Sequence, residues 1–426
     1  MKPNLKLFAV AGLMLSLVIM ACNKNSNPQG PDPGQSNDVI LKWNEVAYEA
    51  FGGSSYQHSL MAARINAMMH LAVHDAVNGV EERYSRYAFY GKDVKANVIA
   101  SAASAAHAIL LNEMPERKGF IDSALMQSLS AIEEGDEKNR GIVLGKAAAQ
   151  ALLDKRANDG SAGELFRQIP PSDQPGVYQP VPPFNILFAP HWENVKLFSL
   201  NTKDQFRSAP HPATNSAAYA KDFNEVKEIG KINSTTRTQE QTAYAKFWYE
   251  FSEAGWNRAA RIVALSKKLN LVETARLMAL VDMAIADAYV AGWDAKIHYN
   301  FWRPYTAVRK AAIDNNNATT EDAQWEPSEP TPPVQDYPST HSALGNAAAT
   351  VLASLLGDNT TFTMTSPTAF PAGTSRSFTS FSQAANENAE SRVMAGIHFR
   401  FSCVAGQELG NKIGRWTVEN HLKPLQ

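Results

Sequence analysis

Cysteine is nearly absent. The 426 residues include only Cys22 and Cys403, which excludes a disulfide-stapled scaffold and a cysteine-rich zinc or iron–sulfur site. An excess of either charge is missing as well: 40 Lys and Arg against 42 Asp and Glu leave a formal net charge of -2. No nucleic-acid partner is expected, because no basic footprint is there to meet phosphates. Few stretches alternate polar and apolar residues, which argues against a large sheet. Beyond the first 22 residues no apolar run reaches the length of a membrane helix. What remains is ordinary globular material, 44% hydrophobic and 19% charged. The length allows two or three domains at roughly 100–200 residues each, with a sizeable core.

Residues 1–22 form a processing signal. Lys2 and Lys6 precede a short apolar stretch from Leu7 to Met20, too short and wrongly flanked for a membrane span. It ends in Ile19-Met20-Ala21-Cys22, which resembles a bacterial lipobox and implies acylation of Cys22. Residues 23–38 are Asn, Pro, Gly, Ser and Asp with almost nothing apolar, a tether unable to pack. The expected product is an extracytoplasmic protein, lipid-anchored to a bacterial membrane, with Cys403 an unpaired, buried thiol. The expected divisions are signal 1–22, tether 23–40, an N-terminal helical region 41–235 and a C-terminal catalytic region 236–426.

Helical periodicity dominates the rest. Helices are expected over 56–80, 94–115, 137–157, 215–229, 237–252, 257–299 with a break near Asn270, 339–356, 381–397 and 403–420. Prolines between 165 and 213 break any long element, and so long an irregular connection usually covers something. Residues 313–337 are a second polar, Pro-rich stretch, and 358–380 a loop with a short hairpin. The fold class is all-α: two packed helical bundles with long Pro-rich connections. His70 and His74, four apart beside Asp75, have metal-ligand spacing but no third ligand, and read as structural histidines.

Three elements of the last third carry chemistry. The first is Lys296-x6-Arg303-Pro304. On a continuous helix, seven positions turn the chain by about 700°, which puts both cations on one face. Such a pair can bracket an anion, and a solvated basic face would show the same residues. The second is Pro338-Ser339-Thr340-His341 at the start of an Ala-rich helix. The free N–H groups of Ser339, Thr340 and His341 would make an anion site, with His341 able to exchange a proton with its occupant. A Ser N-cap beside an incidental His is the plainer alternative. The third is Ser391-Arg392-x5-His398. Arg392 and His398 are about 120° out of phase on a straight helix and meet one ligand only if the helix breaks near Gly396.

Taken together, with 33 residues between Pro304 and Pro338 and 49 between His341 and Ser391, the three elements resemble the superfamily of vanadium-dependent haloperoxidases and type-2 phosphatidic acid phosphatases. The resemblance covers residues 296–402, and more loosely the His70–Asn78 region and the length resemble the bacterial haloperoxidase branch. It implies a vanadate or phosphate site of Lys296, Arg303, Ser339, Thr340 and Arg392, with His398 axial and His341 as acid–base partner. In haloperoxidases the axial His ligates vanadium, with hydrogen peroxide and halide as substrates. In phosphatases it attacks a phosphoester, with no cofactor. A silent oxyanion-binding lipoprotein is the third alternative. Trp293 and Tyr249 are the aromatic candidates for a halide pocket, with Trp248, Trp256 and Asn257 behind them. Two departures stand out. Thr340 replaces the usual Gly and would contribute a hydroxyl or crowd the site. Ser402 replaces the phosphatase Asp four residues after His398, which leaves that ring weakly held.

Overall fold

The computed structural model describes residues 35–53 and 58–425. The lipobox, Cys22 and most of the tether lie outside the described residues. Among the described residues, thirteen α-helices carry the chain. The first five are α1 (Asp38–Ala50), α2 (Ser59–Val80), α3 (Val98–Glu113), α4 (Lys118–Ser130) and α5 (Asp136–Arg156). After the long connection come α6 (Ala217–Ile229), α7 (Gln239–Phe247), α8 (Ser252–Ser266), α9 (Leu271–Tyr299) and the short α10 (Pro304–Arg309). The last three are α11 (Thr340–Leu356), α12 (Phe381–Met394) and α13 (Arg400–Asn420). The all-α expectation holds. Among the described residues, strands occur only as two antiparallel pairs. These are β1 (Phe166–Arg167) with β2 (Leu187–Phe188), and β3 (Phe362–Thr365) with β4 (Ser375–Phe378), the hairpin expected between 358 and 380.

Helix α9 is the axis of the fold. Asn270 caps it: its side chain accepts the Glu273 N–H while the Glu273 carboxylate accepts the Asn270 N–H, so two orphan amides are satisfied at once. This is the break expected near Asn270. The helix is buried almost throughout its 29 residues, as an all-round apolar helix must be. It packs against α2 on the N-terminal side and against α11 and α13 on the C-terminal side. A large hydrophobic core runs through both groups of helices. A second core gathers Tyr219, Phe223, Phe301, Trp302, Tyr337 and Phe399 beneath the loops that carry the motifs.

Three helices escape the sequence reading, the short α10 among them. Helix α1 begins inside the expected tether, because Val39, Ile40, Leu41 and Trp43 follow Asp38 and bury at once. Helix α4 has one buried residue, Ile121, too weak a stripe to announce itself. The boundary drawn at 235/236 falls in the connection between α6 and α7. The 165–213 connection does cover something: the Tyr178 N–H donates to Asn300 O and the Trp302 N–H to Gly176 O, so it is bonded to the first motif.

Buried carboxylates fasten other loops. Asp287 of α9 accepts the N–H groups of Phe198, Ser199 and Leu200, and Asp75 of α2 accepts those of Tyr87, Ala88 and Phe89. His70 pairs through Nδ1 with Asp282 Oδ2 at 2.5 Å, and His74 Nε2 donates to Ser85 O at 3.1 Å. Both histidines are structural. Among the described residues no group of three or more His, Cys, Asp or Glu could hold a metal ion, and no helix is long and apolar enough to cross a membrane.

Candidate active site

The first motif does not run along one helix. Helix α9 ends at Tyr299 because Asn300 adopts the left-handed conformation, φ 46°, which Asn tolerates better than most residues. Lys296 therefore sits in the last turn of α9, while Arg303 is the N-cap of α10. The two cations meet through this reversal and not through helical phase. Both reach the segment before α11. Lys296 Nζ donates to Gln335 O at 2.6 Å and Asp336 O at 3.1 Å. Arg303 Nε donates to Val334 O, and its Nη1 to Ile397 O and to His398 Nε2 at 2.8 Å.

Ser339 caps α11, accepting from the Ser342 N–H at 3.4 Å and from the Ser342 hydroxyl at 3.0 Å. With its lone pairs occupied, its own proton is left to donate outward. The Ser339 N–H, expected free, instead donates to Ser402 O at 2.9 Å. Thr340 and His341 are the first residues of α11, so their amides have no carbonyl one turn back. His341 Nε2 donates to Trp248 O at 2.7 Å, which leaves the lone pair of the neutral ring on Nδ1. The same carbonyl accepts Arg392 Nη1 at 3.2 Å. Arg392 Nε is buried without a partner.

The expected break between Arg392 and His398 is present. Helix α12 stops at Met394 and Gly396 takes φ +77°. A Cβ there would lie 2.3 Å from Gly230 O, so only glycine fits both the backbone and the space. The reversal turns His398 back toward Arg303.

Both sequence departures resolve in the structure. The Thr340 methyl does not stand in open space: Cγ2 occupies the notch over Gly292 of α9, where a Cβ would come within 2.0 Å of it. The missing side chain of Gly292 leaves the room that the Thr340 methyl takes. Ser402 does not leave His398 weakly held. Its hydroxyl donates to Asp336 Oδ2, and Asp336 Oδ1 lies 2.9 Å from His398 Nδ1. That approach is off the N–H axis, so it is a contact and not an aligned hydrogen bond; neither atom has a hydrogen bond, and Arg303 Nη1 stands 3.9 Å from Asp336 Oδ1. Asp336 was missed in the sequence. It stands three residues before Ser339 in a stretch that reads as loop, and its one signal is an acid directly upstream of a helix start. The Trp248 carbonyl was also missed, and a backbone acceptor has no signature in side chains.

Of the aromatic candidates, Tyr249 is at the site. The Arg392 guanidinium lies 5.6 Å from its ring centroid, and its hydroxyl donates to Pro330 O. Trp293 faces elsewhere, its indole N–H reaching Phe188 O at 3.4 Å and its ring meeting Tyr289 edge-on. Trp248 and Trp256 are fully buried and stack on each other, and Asn257 donates to Asp282. Cys403 is a free, buried thiol whose pKa burial pushes up to about 12.

The electrostatics favour an anion. Lys296, Arg303 and Arg392 are all buried, and Asp336 is the buried carboxylate among them. Burial, and after it Arg303, holds the Lys296 ammonium well below its usual pKa. Burial pulls Arg392 down to about 10. His398 is held well below the ordinary imidazole value by burial, then by Arg303, Lys296 and Arg392; His341 likewise by burial and Arg392. Burial also raises Asp336 to about 6, against the opposing pull of Arg303. Crowded cations, an unpartnered Arg392 Nε, a free hydroxyl proton and a helix N-terminus together suit a tetrahedral oxyanion.

The fold and site together describe a helical protein with buried cations gathered beside one helix N-terminus, and known proteins resemble it. Residues 276–426 match the family model described as the VCPO second helical-bundle domain. The chain is 23% identical over 406 residues to the vanadium chloroperoxidase of Curvularia inaequalis, covering 75% of this chain and 66% of that protein. It is similar in structure to the first bacterial vanadium-dependent iodoperoxidase, with TM-score 0.79, 27% identity, and 92% and 98% of the two chains covered. It shares its fold with a holo-type bacterial vanadium-dependent chloroperoxidase, with TM-score 0.73, 18% identity, and 91% and 98% covered. These matches support the resemblance of the chain to the superfamily of vanadium-dependent haloperoxidases and type-2 phosphatidic acid phosphatases.

Proposed function

We propose that this protein is a vanadate-dependent haloperoxidase that oxidises halide with hydrogen peroxide. One observation carries the reading: His398 accepts Arg303 Nη1 at Nε2 within a buried cluster that also holds Lys296, Arg392 and Asp336. A neutral imidazole beside unsatisfied positive charge could hold an anionic metal oxide. Bound vanadate would supply the Lewis-acid centre at which peroxide is activated toward halide.

The residues divide the remaining work. Lys296, Arg303 and Arg392 neutralise the oxyanion, with Arg303 exchanging its bond to His398 for one to the ligand. The Ser339 hydroxyl and the Thr340 amide donate to its oxygens. His341 takes the peroxide proton at Nδ1, since Nε2 is committed to the Trp248 carbonyl. Tyr249, its ring centroid 5.6 Å from the Arg392 guanidinium, lines the approach.

A second reading has its own observation. Asp336 beside His398 Nδ1 restores a carboxylate–imidazole pair, which favours a nucleophilic His398 and an acid phosphatase acting through a phosphohistidine. A silent binding site is less supported, because the Thr340 methyl has its own notch. We also read Cys22 as acylated, which anchors the protein to a bacterial membrane outside the cytoplasm.

The test is iodide oxidation by hydrogen peroxide, with and without added orthovanadate. A rate that appears only with vanadate and disappears in His398→Ala supports the haloperoxidase. No rate at any vanadate loading, with phosphoester hydrolysis in its absence, moves the assignment to the phosphatase.

A further inference from the structure

His398 is approached at both ring nitrogens. Arg303 Nη1 donates to Nε2 at 2.8 Å, so Nε2 carries the lone pair and the proton of the neutral ring is on Nδ1. A buried N–H needs an acceptor, and the one beside Nδ1 is Asp336 Oδ1 at 2.9 Å. Both atoms are buried and neither has a hydrogen bond, with Arg303 Nη1 standing 3.9 Å from Oδ1, so a small ring rotation completes the bond. Asp336 is itself fixed. Its Oδ2 accepts the Ser402 hydroxyl, its N–H donates to Phe301 O at 2.9 Å, and its carbonyl accepts the Lys296 ammonium.

We propose that Asp336 is a positioning residue that, oriented by Ser402, holds His398 in the Nδ1–H tautomer with its Nε2 lone pair facing the three cations. The inference deepens the oxyanion-site reading and rests on it. Carboxylate partners of ligating imidazoles fix tautomer and ring orientation, and their loss typically costs 10–100-fold in affinity. Here the carboxylate comes from the segment before α11, and position 402 supplies the hydroxyl that aims it. Two positions in separate elements therefore share a task that a single acid after His398 could perform.

The experiment uses the whole protein and two readouts. One is the affinity for orthovanadate, with inorganic phosphate as a second probe. The other is the imidazole nitrogen NMR signature of His398 in ligand-free protein, which reports the tautomer without any activity. Asp336→Ala should weaken vanadate binding by roughly 10–100-fold. Asp336→Asn, gentler on the fold, should give a smaller loss and a mixture of tautomers. Ser402→Asp added to Asp336→Ala should recover much of the affinity, because it returns a carboxylate to the same buried spot. A filler role for Asp336 predicts no such rescue.

Wild-type His398 found protonated on Nε2 would overturn the proposal. So would vanadate affinity within twofold of wild type in both Asp336 variants. A wild-type protein that binds neither anion would instead sink the oxyanion-site reading, and the tautomer measurement would still decide the role of Asp336.

Discussion

Two buried histidine–aspartate pairs sit in this molecule. His70 of α2 meets Asp282 of α9 at 2.5 Å, and the second Asp282 oxygen accepts the Asn257 amide at 2.6 Å. The network continues through Asn44, which accepts from Arg261 at the edge. At the other pair, His398 and Asp336 face Lys296, Arg303 and Arg392 together. The same two side chains thus end in opposite states. Around Asp282 the acid is matched by amides and a single distant cation, and the pair closes helix α2 onto α9. Around Asp336 one carboxylate stands beside Arg303 and Lys296, with Arg392 close by at His398, and the surplus is an invitation to an anion. A His–Asp pair does not define chemistry; the charge left over around it does.

Breaking each pair should separate the roles. His398→Ala should abolish vanadate-dependent halide oxidation, by about a thousandfold or more, with a small effect on the denaturation midpoint. His70→Ala should do the reverse. It leaves Asp282 buried without its partner and should cost about 3 kcal/mol of stability, with vanadate affinity per folded molecule unchanged. Chemical denaturation and anion titration on both variants check this, and equal loss of binding in both would erase the contrast.

The next test concerns how α9 and α11 approach each other. Gly292→Ala places a methyl on the Thr340 side chain and should cost about 1–3 kcal/mol by overpacking. Adding Thr340→Gly should return most of that loss. A double variant no more stable than Gly292→Ala would show that the notch is not what accommodates Thr340.

The smallest effect is in protons. Burial and neighbouring cations depress His341 and His398, so both are neutral in ligand-free protein near pH 7. A bound dianion opposes those cations and raises His341 toward or past its usual value. The site then binds more protons with ligand than without, and affinity rises as the pH falls toward neutrality from above. Calorimetry in buffers of different ionisation heat should show a fraction of one proton taken up on phosphate binding. Proton release would contradict the assignment of His341 as the titrating group.

The cations, both site histidines and Ser339 are legible in the sequence because residue type and order suffice to place them. Their meeting is less so. Lys296 and Arg303 looked like neighbours on one helix, and the left-handed Asn300 between them shows how a single residue redirects a motif. Gly396 was legible, since no straight helix could bring Arg392 and His398 together. Asp336 was not, because a loop residue announces neither its direction nor its burial. The Trp248 carbonyl, which joins His341 to Arg392, belongs to the backbone and could be found only in three dimensions.

Helix α9 carries Asp282, Asp287, Gly292 and Lys296 on one unbroken rod. Fourteen residues at 1.5 Å separate Asp282 from Lys296, about 21 Å of fixed spacing and phase. Losing a single residue between them would swing Lys296 by about 100° and draw it back by a rise. It would no longer point at the carbonyls of Gln335 and Asp336. The Pro-rich connections can lengthen or shorten without such a penalty. Variation in chain length should therefore collect in those connections, while the interval from Asp282 to Lys296 keeps its count of residues however far its side chains drift.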